Sequence, residues 1–141
     1  MSYLLDTNVV SESMRPRPNR AVTSWLAETD EDHIFLSTIS IAEIRRGIAL
    51  MGAGKRRDLL DRWLAEDLPE RFEGRLLDVD IDVANAWGEM MGEGRRRGIA
   101  LSVLDGFLAA TARVHALTLV TRDAGGFAGC GVALLNPWEP E

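Results

Sequence analysis

Four acids are spaced along the chain in a way that would suit a hydrolytic site: Asp6, Glu43, Asp105 and Asp123. Each also has an ordinary structural reading. Asp6 follows an apolar run and precedes a helix start, so it suits an N-cap that accepts backbone N–H bonds. Glu43 stands three residues after Ser40 in a Ser-x-x-Glu capping-box pattern. A helix starting from Ser37 would instead leave it on the second turn, beside the apolar stripe. Asp105 lies in the otherwise apolar start of a helix, where the dipole favours an acid. Asp123, after Thr121-Arg122, suits a turn. Taken jointly, the four have a second reading. Two carboxylates about 4 Å apart repel by roughly 4 kcal/mol at an effective dielectric near 20, so a cluster of four opposes folding unless a cation neutralises it. An all-oxygen ligand set is hard and suits Mg2+ or Mn2+. Zinc fits poorly, because His33 and His115 are isolated and Cys130 has no partner cysteine. Both histidines read as surface or structural residues. On a phosphodiester, an ion so held would deprotonate a water, polarise the phosphoryl group and screen the leaving oxygen, and a pair would clamp both oxygens. That is hydrolysis without a covalent protein intermediate.

The acids need elements to bring them together. Tyr3-Leu4-Leu5 reads as a buried strand ending at Asp6, and a helix start follows from Asn8 to Glu12, broken by Pro16 and Pro18. Arg20 to Ala27 is a second short helix. Ile34-Phe35-Leu36 is a strand, and the long helix after it carries the stripe Ile41, Ile44, Ile48 and Met51 until Gly52-Ala53-Gly54 ends it. Leu59, Leu60, Trp63 and Leu64 mark another amphipathic helix, expected to close before Pro69. Leu76-Leu77 with Val79 suggests a third strand, and Val83 to Arg97 a helix. Ser102 to His115 is a helix whose Ala109, Ala110 and Ala112 allow close approach to a sheet. Thr118 to Thr121 is the clearest strand, and Val132 to Leu135 the last. Strands alternating with helices predict an α/β fold with a mostly parallel sheet of four to five strands, covered on both faces. Sites in such sheets lie outside the carboxyl ends of the strands, and Asp6 and Asp123 sit at two of those ends.

The composition limits the function classes. At 141 residues the chain suits one domain, and 46% apolar with 27% charged residues is the balance of a soluble globular protein. No apolar run is long enough to span a bilayer. The first residues have no basic stretch and reach an aspartate almost at once, unlike a signal peptide. A lone cysteine excludes an internal disulfide framework and fits a reducing, cytoplasmic setting. The net charge of −6 argues against a broad nucleic-acid grip, so any such contact must be local or assisted by metal. Basic residues cluster at Arg45-Arg46, Lys55-Arg56-Arg57 and Arg95-Arg96-Arg97, and such runs are more often solvated helix faces than phosphate tracks. Trp63, Trp87, Met90 and Met91 lie on amphipathic helices and read either as core packing or as an adaptable groove for a partner.

Four blocks in order then carry a resemblance: Leu4-Leu5-Asp6-Thr7-Asn8, Ser40-Ile41-Ala42-Glu43-Ile44, Asp105 to Ala112, and Leu119-Val120-Thr121-Arg122-Asp123. They resemble the PIN-domain family, and within it the VapC-type toxins of bacterial toxin–antitoxin pairs, including the FitB-like branch, whose ending Asn136-Pro137-Trp138 is also similar. The resemblance runs from about Tyr3 to Trp138. It implies one PIN domain over residues 1–141, a three-layer sandwich, and a Mg2+- or Mn2+-dependent endoribonuclease acting on tRNA or mRNA. It also implies homodimers, a cognate VapB-type antitoxin that covers the site, higher heteromers with that antitoxin, DNA contact only through it, and no membrane. Asp6, Glu43, Asp105 and Asp123 match the family's acidic set, for catalysis and metal binding. Thr121 matches a hydroxyl position beside it, and Thr7 and Asn8 match residues that shape the first strand's exit. Family members often have a proline shortly before the third acid. Here the segment is Ser102-Val103-Leu104, a departure expected to alter the start of the helix and not the chemistry. A non-catalytic regulatory role in an antitoxin-mediated DNA-binding complex is the alternative reading.

Two other α/β classes place acids at strand ends. Aspartate-nucleophile phosphatases need an aspartate two residues after the first, where this chain has Asn8, and a phosphate-binding lysine. Phosphate-accepting receiver modules need paired acids after the first strand and a late lysine. Lys55, in a charged run, is the chain's single lysine, so neither pattern is met.

Overall fold

The computed structural model describes residues 1–139. Five strands, β1 (Tyr3–Leu5), β2 (Ile34–Ser37), β3 (Leu76–Leu77), β4 (Thr118–Val120) and β5 (Leu134–Leu135), form one sheet in the order β3-β2-β1-β4-β5. All pairings are parallel; Leu5 stands beside Leu36 on one side and Val120 on the other. The helices are α1 (Thr7–Glu12), α2 (Arg20–Glu28), α3 (Thr38–Ala49), α4 (Lys55–Arg62), α5 (Leu68–Arg71), α6 (Ile81–Arg96) and α7 (Val103–Val114).

Strand alternation builds two cores. Leu5, Leu36 and Val120 face one side, with Val9, Val22, Ile44, Leu64, Leu68 and Phe72 packed over them. Leu4 and Leu119 face the other, under Met90, Leu108, Ala109, Ala112 and Phe127. Neighbouring strand residues point to opposite faces, so each strand feeds both layers. This is the predicted three-layer sandwich.

The sheet has a crevice where the chain changes direction. After β1 the chain moves outward to β2 and β3; it then returns past β1 to β4 and leaves for β5. The carboxyl ends of β1 and β4 therefore flank the switch point, where ligands of open α/β sheets bind. The β1–β4 ladder continues one step further, with the Asp6 N–H donating to the Val120 carbonyl at 2.8 Å.

Some boundaries differ from the sequence reading. Val79 lies outside β3, and Val132 and Ala133 outside β5, which leaves two short edge strands. The amphipathic helix does not close before Pro69. After α4 it widens into a π-helical turn, Trp63–Asp67, and continues into α5. Pro69 falls in the first turn of α5, where a missing N–H is tolerated. The Leu68 N–H bonds the Trp63 carbonyl, five residues back. Met90 is buried in the second core, Trp87 stacks on Phe107 with ring centroids 4.9 Å apart, and Trp63 packs against the first core. Intrachain packing thus takes up these three side chains.

Candidate active site

Asp6 terminates β1 and caps α1. One oxygen accepts the Thr7 N–H at 2.6 Å; the other accepts the Thr121 hydroxyl at 2.8 Å and the Asn8 amide at 3.5 Å. The capping role and the site role are therefore the same geometry. The carboxyl is 6% exposed, so little water solvates its charge.

Glu43 is brought in by α3. Ser37 caps that helix by accepting the Ile39 N–H at 3.0 Å, which frees Ser40 and puts Glu43 on the second turn. The Thr7 hydroxyl lies 3.0 Å from both Ser40 Oγ and Glu43 Oε1 and ties the two helices together. Buried Ser40 is a site neighbour that sequence reasoning assigned only to a cap. Its position three residues before Glu43, on the same helix face, was the available signal.

Asp105 sits in the first turn of α7, its N–H donating to the capping Ser102 hydroxyl at 3.1 Å. Ser102 thus caps this helix start, where the resemblance led to an expected proline. Asp123 follows β4, exposed, its N–H donating to Thr121 Oγ1 at 3.0 Å and its carboxylate accepting the Gly126 N–H at 3.2 Å. Thr121, fully buried, links the two strand-end acids by donating to Asp6 and accepting from Asp123.

A C-terminal clasp was not foreseen from the residues. Asn8 Oδ1 accepts the Arg122 N–H at 3.4 Å, and the Asn136 amide donates to the Arg122 carbonyl at 3.2 Å. The Trp138 ring lies 5.2 Å from the Arg122 guanidinium carbon. Residues 136–138 thereby hold the β4 exit from outside.

Electrostatics unite the four acids. Burial pushes the Asp6 carboxyl above the usual range; the Thr121 and Thr7 hydrogen bonds oppose this, and the charges of Asp105 and Asp123 add to it. Glu43 is also raised, first by burial and further by Asp6 and Asp105, against the Thr7 bond and Arg46. Asp105 is raised by burial and by Asp123, against the Ser102 bond. Asp6, Glu43 and Asp105 each feel at least one other acid of the set, as convergent charges must. Among the described residues, no three His, Cys, Asp or Glu side chains are gathered closely enough to hold an ion as they stand. The donor chemistry nevertheless fits a hard divalent cation. The oxygens are unpaired with any Lys or Arg among the described residues, and the repulsion between them is what a cation would remove. His33 and His115 are exposed, away from this donor set.

The raised carboxyls set a pH dependence. A group with a raised folded-state pKa stabilises the fold fully below its unfolded pKa and loses that contribution as pH rises through the folded value. For Asp6, Glu43 and Asp105 the strain is therefore present at neutral pH and relieved on acidification. We expect Mn2+ to raise the melting temperature most near neutral pH, with the gain fading as pH falls through the carboxylate range. At an ion concentration of about 100 Kd the neutral-pH gain corresponds to about 2.7 kcal/mol. Calorimetry with Mn2+ or chelator across that range checks this. A gain independent of pH would separate ion binding from these acids.

Comparison with known proteins agrees with the fold. The PIN domain sequence profile matches residues 3–129. Toxin FitB of Neisseria gonorrhoeae (strain ATCC 700825 / FA 1090) is 41% identical over 136 residues, covering 96% of this chain and 98% of its own. VapC ribonuclease Y4jK of Sinorhizobium fredii (strain NBRC 101917 / NGR234) is 37% identical over 137 residues, covering 97% and 98%. A chain in the structure of FitAB bound to an IR36 DNA fragment superposes with a TM-score of 0.92 at 39% identity, covering 99% of this chain and 97% of that one. With the parallel sheet, the switch-point acids and these matches in agreement, the chain belongs to the PIN domain family.

Proposed function

We propose that this chain is the toxin of a type II toxin–antitoxin pair, a single PIN domain that hydrolyses RNA with Mg2+ or Mn2+ held by Asp6, Glu43, Asp105 and Asp123. The observation that carries it is the hydrogen-bonded chain Glu43–Thr7–Asp6–Thr121–Asp123 at the β1–β4 switch point, with the Asp105 charge raising Asp6 and Glu43 and no cationic side chain paired to these acids among the described residues. Relatives named as a toxin and as a VapC ribonuclease support the substrate class.

A bound divalent ion supplies water activation and charge neutralisation at the phosphoryl group. The chain's own residues do the rest. Asp6 and Asp105 furnish the main ligand oxygens, and Glu43 and Asp123 complete the set or orient the water. Thr121 fixes the Asp6 carboxylate through its hydroxyl, and Thr7 fixes Glu43, so two ligands are aligned before any ion arrives. Asn8 holds the backbone after Thr121.

The partner follows from the same charges. A cognate antitoxin masks the pocket by inserting an Arg or Lys where the ion would sit, and the toxin meets DNA only through it; a structural neighbour, FitAB, is bound to a DNA fragment. The toxin is expected to act as a homodimer in the cytoplasm, and no helix of the described residues is long and apolar enough to cross a membrane. Incubation of the purified chain with total RNA tests the reading. Cleavage in Mn2+ that chelator stops is expected; intact RNA under all metal conditions would refute it and favour a regulatory role.

A further inference from the structure

A cleft of about 830 Å³ has no role in that mechanism: none of the four acids lines it, but its Cys130 thiol feels the Asp105 charge. Its walls are the end of α6, the loop from residue 98 to 101, and residues 129–131. The first loop leads directly into Ser102 and Asp105, and the second segment lies on the chain leaving Asp123. The cleft therefore lies between the two segments that carry the third and fourth acids. Gly129 lies close to Ile99 across it, since a Cβ there would come within 3.1 Å of the Ile99 Cδ1.

Three arginines line it: Arg95, Arg97 and Arg113. Among the described residues none of them has a carboxylate in ion-pair range, whereas neighbouring Arg96 is matched to Glu93 at 2.5 Å. Arg97 makes one long bond, to the Gly129 carbonyl at 3.5 Å. Glu93 also lines the cleft, but Arg96 occupies it. Uncompensated cations in a concave site of a chain with net charge −6 are a local exception to the protein's field. Low-dielectric walls focus that positive potential. Ile99, Leu101 and Met91 give the cleft apolar patches on which a base can lie.

We propose that the cleft lined by Arg95, Arg97 and Arg113 receives the single-stranded RNA next to the scissile phosphate, with the arginines contacting its backbone phosphates. This rests on the ribonuclease reading and adds the path of the substrate to it. The negative pocket cuts while the positive cleft grips, which answers how an acidic protein engages a polyanion. The arginine run is thus a phosphate track and not merely a solvated helix face.

The test is cleavage of a single-stranded RNA oligonucleotide in Mn2+ by the full chain and by the double variant Arg97→Ala with Arg113→Ala. The expected result is a KM raised roughly tenfold with kcat nearly unchanged, and a salt slope of log KM shallower by about 1.4, at ~0.7 per lost single-strand phosphate contact. The pair Arg97→Lys with Arg113→Lys, which keeps the charge, should recover most of the KM and guards against a folding defect. Arg17→Ala with Arg20→Ala, at and just before the start of α2 and outside the cleft's lining, should change neither. An unaltered KM and slope in the alanine pair, with wild type active, would overturn the cleft assignment alone. Wild type inactive on every RNA would overturn the ribonuclease reading and the cleft with it. Loss of antitoxin binding with KM unchanged would make the cleft a protein-docking surface and overturn the proposal.

Discussion

Asp6→Asn is expected to leave the chain folded and to remove RNA cleavage. The amide has nearly the shape of the carboxylate, so its oxygen can still accept the Thr7 N–H, while its NH2 faces Thr121 and can only donate there. What it loses is a charge that is almost fully buried and repelled by Asp105 and Asp123. In metal-free buffer the variant should therefore melt at the wild-type temperature or above it. Cleavage should fall by more than about 100-fold, since partners that only orient a metal ligand already cost 10–100-fold. Single-turnover cleavage in saturating Mn2+, run beside calorimetry, separates these effects. Wild-type rates in the variant would remove Asp6 from the metal set. A lower melting temperature would mean that the lost Thr121 hydroxyl bond outweighs the relieved repulsion at this position.

The second large effect concerns stability, at Gly106. This glycine lies on α7 immediately after Asp105, with the Met91 sulfur and the Trp87 indole nitrogen of α6 in the space its side chain would need. A Cβ there would come within 2.7 Å of the sulfur and 2.8 Å of the nitrogen. Trp87 cannot yield easily, because its Nε1–H donates to the Val103 carbonyl at 3.1 Å and its ring stacks on Phe107. Gly106→Ala should destabilise by roughly 1–3 kcal/mol, the usual range for overpacking. Gly88, on α6, has nothing within 4 Å of its Cβ position, so Gly88→Ala should instead stabilise by up to about 1 kcal/mol through helix propensity. The opposite signs of two identical substitutions, read as urea midpoints, check the close α6–α7 approach. Because Gly106 adjoins Asp105, its alanine variant should also cut RNA more slowly. If both variants shift stability in the same direction, the close packing of α6 on α7 is not what requires glycine.

The readable parts of the sequence were those with local causes. β1 and the start of α1 follow from an apolar run meeting Asp6, and α3 and α7 follow from helical spacing of Ile44 and Ile48 and of the small residues Ala109 and Ala112. Pro69 misled because proline usually ends a helix. Nothing local announces that a π-helical turn will shift the register so that proline arrives in a first turn. β3 and β5 came out shorter than their apolar runs because strand length is set by the ladder available. β3 is paired only to Leu36 and Ser37, and β5 only to Leu119 and Val120. At the site, the acid types and their order were visible. The choice between Ser37 and Ser40 as the cap of α3 was not, since it depends on a hydroxyl of Thr7 more than 30 residues away. The Asn136–Trp138 clasp on Arg122 is a long-range contact of the same kind.

Pairing of β1 with both β2 and β4 has a consequence for how the protein is made. Tyr3 is synthesised long before its ladder partner Thr118. Pairing so distant in sequence is slow to close and leaves the nascent chain with an open strand edge. Until Thr121 and Asp123 have been synthesised, Asp6 lacks the hydroxyl that aligns it and the acidic pocket is incomplete. On the ribonuclease reading, cleavage is therefore expected only from chains in which β4 and the residues after it have been made.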